Sequence, residues 1–415
     1  AQTHAVPHEV RRHRRVSRAH RGQRTPPRPP PHPAPLPLLQ VPSNVKLHDL
    51  GVGGLAQLFG LQLGEALELP IRNASVLIKA MRFMFDKWPR LVAEYKPAFG
   101  AIFAAHLKPY THWGYCDLDM VIGNLPLFIE RQEFSDYDVV TYSFGDQEAL
   151  YLRGQWTLHR NVPWVAGLWK ECAHLGAGLQ KELLLKVAWV RRMESRGIQN
   201  YPKRFQSAEG CYSQRAVARD GIRMRMANKQ FVGLTVDADY VIYSVDGAVW
   251  QCPRDASVEI GALARHSMSG RCSEQLPGVQ TLVGEPRRVA VSGEGCGKWM
   301  PLEYRMCATE LIADGAQEAA GQAVTYFDGA FYAQRFQSAA GFVMANGCRQ
   351  GAFFHFQEWK KAWSGHFGGA TTGIEPVGDG PRYSARPRNF SVSPEGISVL
   401  ATGSALAPAW PRRTS

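Results

Sequence analysis

The residues with the clearest chemical potential lie in "HWGYCDLDMVIGNL" at 112–125, where Asp117 and Asp119 close an aromatic and apolar run. If that run is a strand, side chains alternate between its faces. The two carboxylates then point the same way, about 7 Å apart along the strand, while Cys116, Leu118 and Met120 face a core. Two like charges at that spacing repel, and a divalent cation shared with a diphosphate removes the repulsion. Mg2+ or Mn2+ suits carboxylate oxygens. The carboxyl ends of strands are also where open α/β sheets place their ligands. The bland alternative for a bare Asp-x-Asp is a pair of solvated loop carboxylates.

The surrounding pattern indicates which elements would hold such a site. Apolar residues recur at three- and four-residue spacing over 47–66 and 72–88, predicting helices. "KPAFGAIFAAHL" at 96–107 predicts another, with Pro97 near its first turn, where the missing N–H costs little. Strands are expected over "HWGYCDLD", 138–143, 149–159, 231–235 and 240–245, and helices over 163–175, 178–194 and 207–219. Helices alternating with short strands predict an α/β fold, a mixed sheet flanked by helices. From about 250 to 325 the chain is rich in Gly, Ser and Cys and weakly periodic. It recovers over 325–345 and in "GAFFHFQEWKKAW" at 351–363, and turns Gly/Pro/Ser-rich again after 365. The expected organisation is an Arg/Pro-rich disordered tail at 1–41, a core over 42–250, an irregular insertion over 251–324, the end of the core over 325–364 and a loose tail over 365–415.

At 415 residues and 45% hydrophobic the chain can bury a large core, and no run of about 18 apolar residues predicts a membrane span. The formal net charge of +12 is concentrated at one end: residues 1–30 hold eight Arg against one Glu. Such a tail reads as a solvated or targeting extension, including an organelle transit peptide, rather than as a nucleic-acid-binding arm. None of the eight cysteines forms a CxxC pair, so no structural zinc site is expected. Four of them fall between 252 and 307 and would pair as two disulfides in a secretory lumen, or stay thiols in cytosol. The sequons Asn73-Ala-Ser and Asn389-Phe-Ser point weakly towards a lumen.

Beyond composition and spacing, "EYKPAFGAIFAAHLKPYTHWGYCDLDMVIGNLPLFI" resembles a poorly characterised family of GT-A-type glycosyltransferase-like proteins from polysaccharide-biosynthesis settings. The resemblance rests on Lys96-Pro97, Phe99-Gly100, Trp113-Gly114-Tyr115, Asp117, Asp119 and Gly123-Asn124. "PSNVKL" at 42–47, "GQWTLHRN" at 154–161, "SAEGCYS" at 207–213 and "FFHFQEWKK" at 353–361 extend it. That family opens on a nucleotide-binding strand ahead of the "PSNVKL" element, a place this chain gives to its Arg/Pro-rich tail, and Gln155 stands where an aromatic or His is expected. The resemblance implies a GT-A-like, Rossmann-type sheet and transfer of a sugar from a nucleotide-sugar donor to a carbohydrate or glycan acceptor. It implies Asp117, Asp119 and His355 as ligands of Mn2+ or Mg2+, with Lys96 and Lys360 meeting the donor phosphates. Glu209 is the carboxylate expected to act as base in an inverting reaction. Trp113 and Tyr115 share a face with the aspartates, either as core or as stacking surfaces for sugar or base.

Two other readings compete. "CDLDMV" mimics the haloacid-dehalogenase signature, in which Asp117 would be nucleophile and Asp119 acid/base, although the strand before it is aromatic and polar and no later acidic metal motif is evident. A degenerate transferase fold used only for binding is the other.

Overall fold

Apolar periodicity is realised first as a helical hairpin, α1 (Gly54–Ala66) and α2 (Ile71–Lys87). The computed structural model describes residues 45–142, 152, 154–197, 208–227, 230–232, 239–254, 258–259, 261–264, 282–289, 291–292, 307–308, 322–336, 343–345, 347–356, 389–393 and 396–400. Helix α1 starts later than its periodicity suggests, because Gly51 and Gly53 adopt φ of 66° and 77°, outside the right-handed helical region. Phe59, buried between the helices, meets the ring edges of Phe85, Tyr95, Phe99 and Phe103 at centroid separations of 5.4–6.1 Å. The single helix expected over 96–107 is broken. A 3-10 helix over Pro89–Ala98 leads into two short turns, α3 (Phe99–Ile102) and α4 (Ala104–Leu107). Pro97 lies inside the 3-10 segment rather than in a first turn, and its missing N–H removes a bond an α-helix would need.

The strands and later helices then follow in order: β1 (His112–Cys116), β2 (Met120–Ile122), α5 (Leu125–Phe128), α6 (Arg131–Ser135), β3 (Val139–Tyr142), β4 (Trp156–Arg160), α7 (Pro163–Gly167), α8 (Leu179–Glu194) and α9 (Ala208–Val217). After them come β5 (Met224–Ala227), β6 (Gln230–Val232), β7 (Tyr240–Val245), β8 (Ala248–Pro253), β9 (Leu282–Val289), β10 (Val291–Ser292), β11 (Cys307–Ala308), β12 (Gln322–Phe327), β13 (Ala330–Phe336), β14 (Val343–Ala345), β15 (Cys348–Gly351), β16 (Phe353–His355), β17 (Phe390–Ser393) and β18 (Gly396–Val399).

The largest sheet has seven strands in the order β1-β4-β3-β5-β12-β13-β9. Only β3 and β5 run parallel within it; the other neighbours are antiparallel. The chain is therefore α/β with a mixed sheet flanked by helices, and β1 lies at the sheet's edge. One face carries Val139, Met224, Met226 and Phe331 against the helical layer, where Leu77, Met81, Trp169, Leu183 and Tyr212 complete the core. The opposite face carries Val140, Tyr142, Trp156 and Ala227 against Leu125, Phe128, Phe353, Phe354, Ile242 and Val392. Those partners come from α5, from the three-stranded sheet β2-β16-β6 and from the six-stranded sheet β14-β15-β8-β7-β17-β18.

Two stretches read as irregular contribute ordered strands. Within 251–324, β9 extends the large sheet by pairing with β13. Within 365–415, β17 pairs with both β7 and β18. Short runs of four and eight residues amid weakly periodic sequence carry little signal of their own, and it is the neighbouring strand that makes them strands. The disulfides also differ from the expected pairing inside 252–307. They join Cys172 to Cys211 and Cys252 to Cys348, partners 39 and 96 residues apart that the fold, not sequence proximity, brings together. The sequon at Asn389 is buried, and its side-chain oxygen accepts the Asp246 N–H at 2.9 Å, which leaves no room for a glycan in the folded chain. Among the described residues no helix is long and apolar enough to cross a membrane.

Candidate metal centre

Strand β1 ends at Cys116, and the chain bends through Asp117-Leu118-Asp119 before β2 begins. The Asp117 N–H donates to the Gln155 carbonyl at 3.1 Å, one step beyond the β1–β4 ladder. The bend breaks the alternation expected of a continuous strand, so Leu118 is 62% exposed rather than part of a core. The same bend draws the two carboxylates together. Asp119 is tied to a distant segment: its carbonyl accepts the Phe356 N–H at 3.0 Å, and the next residue, Met120, opposes His355 across the β2–β16 pair. Strand β16 lies between β2 and β6, antiparallel to the first and parallel to the second.

This pairing brings His355 to the aspartates. His355 Nε2 lies 3.4 Å from Asp119 Oδ1 and 3.6 Å from Asp117 Oδ2. One donor atom from each of the three residues falls within a 4.8 Å span. A metal with bonds of about 2.0–2.2 Å places neighbouring donor atoms roughly 3.0–3.5 Å apart, so the spacing suits a shared ion. Two carboxylate oxygens and one imidazole nitrogen suit a divalent cation, and three protein donors would leave coordination positions for other ligands. His355 is buried and the aspartates are partly exposed, so the group opens to solvent on its acidic side. Among the described residues this is the one set of three or more His, Cys, Asp or Glu side chains that converges in this way.

Lys96, expected at the donor phosphates, lies beside the acidic pair. It is 6% exposed, and its ammonium donates to Asp117 Oδ1 and, at 2.6 Å, to the Gly154 carbonyl. The Gly154 N–H in turn donates to Glu209 Oε1 at 2.9 Å, beside the start of α9. Gly154 thus holds both a lysine and a glutamate through its backbone. A Cβ there would collide with Glu209 Oε1 and lie 3.1 Å from Lys96 Nζ. Gly154 opens the "GQWTLHRN" stretch, but nothing in the sequence gives it this role at the site. Lys360 lies outside the described residues.

Trp113 and Tyr115 are buried core residues, not exposed stacking surfaces. Trp113 packs beneath Gly100, where a Cβ would come within 2.5 Å of its ring, and stacks on His159 at 4.2 Å and 9°. Burial pushes the His159 imidazole down to a pKa of about 3. Burial likewise pushes the Cys116 thiol up to about 11, with Lys96 opposing and Asp117 and Asp119 adding to the rise. Gln155 is buried at the start of β4.

Residues 86–199 match a protein family described as a family of unknown function, DUF6625. The matched stretch holds Lys96, Asp117, Asp119 and Gly154, while Glu209 and His355 lie beyond it. Neither the curated proteins nor the solved structures contain a match to the chain.

Proposed function

We propose that this chain is a metal-dependent glycosyltransferase that moves a sugar from a nucleotide-sugar donor to a carbohydrate or glycan acceptor. The observation that carries the reading is the convergence of Asp117, Asp119 and His355, drawn from separate parts of the chain, on the space one divalent ion would fill. Mn2+ or Mg2+ there supplies Lewis-acid stabilisation of the negative charge that grows on a diphosphate leaving group. Asp117 and Asp119 contribute the charge that holds the ion, and His355 a nitrogen donor on its buried side. Lys96 keeps Asp117 oriented. In an inverting transfer, Glu209 takes the proton of the acceptor hydroxyl as its oxygen bonds to the sugar carbon and the sugar–phosphate bond breaks, releasing the nucleoside diphosphate.

The test is calorimetry of the full chain with UDP- and GDP-sugars, with and without Mn2+, beside Asp119→Ala. Metal-dependent donor binding by the parent chain and its loss in the variant are expected. Equal donor binding by both proteins would sink the reading. Binding without turnover on any glycan acceptor would favour a non-catalytic binding protein, and metal-dependent release of phosphate from simple monoesters would favour the phosphatase.

A further inference from the structure

We propose that Asp117 is a divided carboxylate, with Oδ1 permanently committed to Lys96 and Oδ2 facing the cation, and that Lys96 stays in place when the cation binds and limits how tightly it is held. This rests on the metal reading above and adds a residue that sets the strength of the site.

The two oxygens of Asp117 already face different partners. Oδ1 accepts from Lys96, and Oδ2 turns to His355 Nε2. The lysine is locked in. Its ammonium also bonds the Gly154 carbonyl, it lies 5.9 Å from the centre of the Tyr115 ring, and it is almost wholly buried. A buried ammonium that left Asp117 would give up its counter-charge inside the protein, which is far costlier than keeping the pair. The side of Gly154 that a Cβ would occupy is filled by Lys96 and Glu209 together, so that seat has little free space.

Two consequences follow, of opposite sign. Lys96 holds Asp117 in place before any ion arrives, so the site is preformed. Lys96 also places a positive charge on one oxygen of the carboxylate whose other oxygen must bind a second positive charge. At a separation of about 5 Å and an effective dielectric of about 20, the repulsion between the ammonium and a divalent ion is on the order of ten times thermal energy. It outweighs the orienting benefit, because the main chain at Asp117 is held independently of Lys96 by the Asp117 N–H bond to the Gln155 carbonyl, leaving Lys96 only the side chain to orient. The bare site therefore binds a cation loosely, and an anionic ligand that arrives with the cation offsets the repulsion.

The experiment titrates Mn2+ alone, by calorimetry, into the full-length parent, Lys96→Met, Lys96→Arg and Asp119→Ala. Mn2+ should bind Lys96→Met about tenfold or more tightly than the parent. Lys96→Arg, which keeps the charge, should stay within about threefold of the parent. A parent crystal soaked in Mn2+ should show the anomalous peak at Asp117 Oδ2, Asp119 and His355, with Lys96 Nζ still on Asp117 Oδ1. A Lys96→Met protein that melts normally but binds Mn2+ equally or more weakly overturns the proposal, as does a soaked crystal with Lys96 swung away. If Lys96→Met does not fold, the soaked parent crystal decides alone. Failure of the parent to bind Mn2+ removes the metal reading and this inference together. Mn2+ binding that Asp119→Ala abolishes and Lys96→Met leaves unchanged removes only this inference.

Discussion

On one face of the seven-stranded sheet, Glu130 and Glu133 meet Arg225; at the edge of the same sheet, Asp117 and Asp119 meet His355. The first group is sealed. Arg225 is fully buried, its Nη2 donates to Glu130 Oε1 at 2.9 Å and its Nε lies 3.4 Å from Glu133 Oε1. Glu133 Oε2 accepts from the Tyr142 hydroxyl and from the Glu130 N–H at 3.0 Å. Burial alone would lower the Arg225 pKa, but Glu133 and Glu130 more than offset it and the net shift is upward. The Tyr142 hydroxyl is raised well above its usual value, by burial first and by Glu133 second. The second group is left open. Lys96 pairs with Asp117 Oδ1, but the other Asp117 oxygen and Asp119 Oδ1, on carboxylates each about a third exposed, face the His355 nitrogen. Acidic residues alone do not mark a functional site. What separates the two clusters is access: Arg225 and Glu133 are closed off from solvent, whereas Asp117 and Asp119 open to it.

Substitutions should behave oppositely at the two clusters. Arg225→Ala strands Glu133 in the interior and should cost about 3–5 kcal/mol of stability, read as a lowered urea midpoint, with no specific effect on Mn2+ affinity. Asp119→Ala should weaken Mn2+ binding on the order of a hundredfold while changing the stability of the metal-free chain by less than about 1 kcal/mol. If the two variants exchanged these signatures, the contrast drawn here would fail. Gly154→Ala sits between the cases. Overpacking beside Glu209 and Lys96 should cost roughly 1–3 kcal/mol and also alter Mn2+ affinity, because the displaced lysine carries Asp117 with it.

A pH-dependent effect concerns His159, held neutral on the helix-covered face. Above pH 6.5 neither the folded nor the unfolded state protonates it, so its burial makes no pH-dependent contribution. As pH falls from about 6.5 towards 3 only the unfolded state takes up the proton, and stability is lost at up to about 1.4 kcal/mol per pH unit. His159→Phe, which keeps a ring against Trp113, should flatten that limb of the stability curve measured by urea melts between pH 7 and 4.

Much of this was legible in the chain because it rests on local signals. The Asp-x-Asp at the end of an aromatic run located two of the three converging residues, and the third, His355, came from the family resemblance. Helices α2, α8 and α9 and strands β3 and β7 fall close to where periodicity put them. The illegible parts depend on partners far away in sequence. Lys96 and Gly154 are 58 residues apart, and nothing in either segment says that a carbonyl in one will claim the ammonium of the other. Leu118 was misplaced because strand alternation was extended through the bend between β1 and β2. Cys172 and Cys211 carried no spacing signature and were brought together by helix packing.

The central place of β16 in its three-stranded sheet has a consequence for how the polypeptide is made. Segments leave the ribosome in order, and the early ones begin to fold first. Asp117 and Asp119 emerge more than two hundred residues before His355, and β2 and β6 both await the strand that carries it. A nascent chain interrupted between residues 217 and 353 can assemble much of its helical layer yet owns only two thirds of the ion's grip, so chemical competence arrives late in translation.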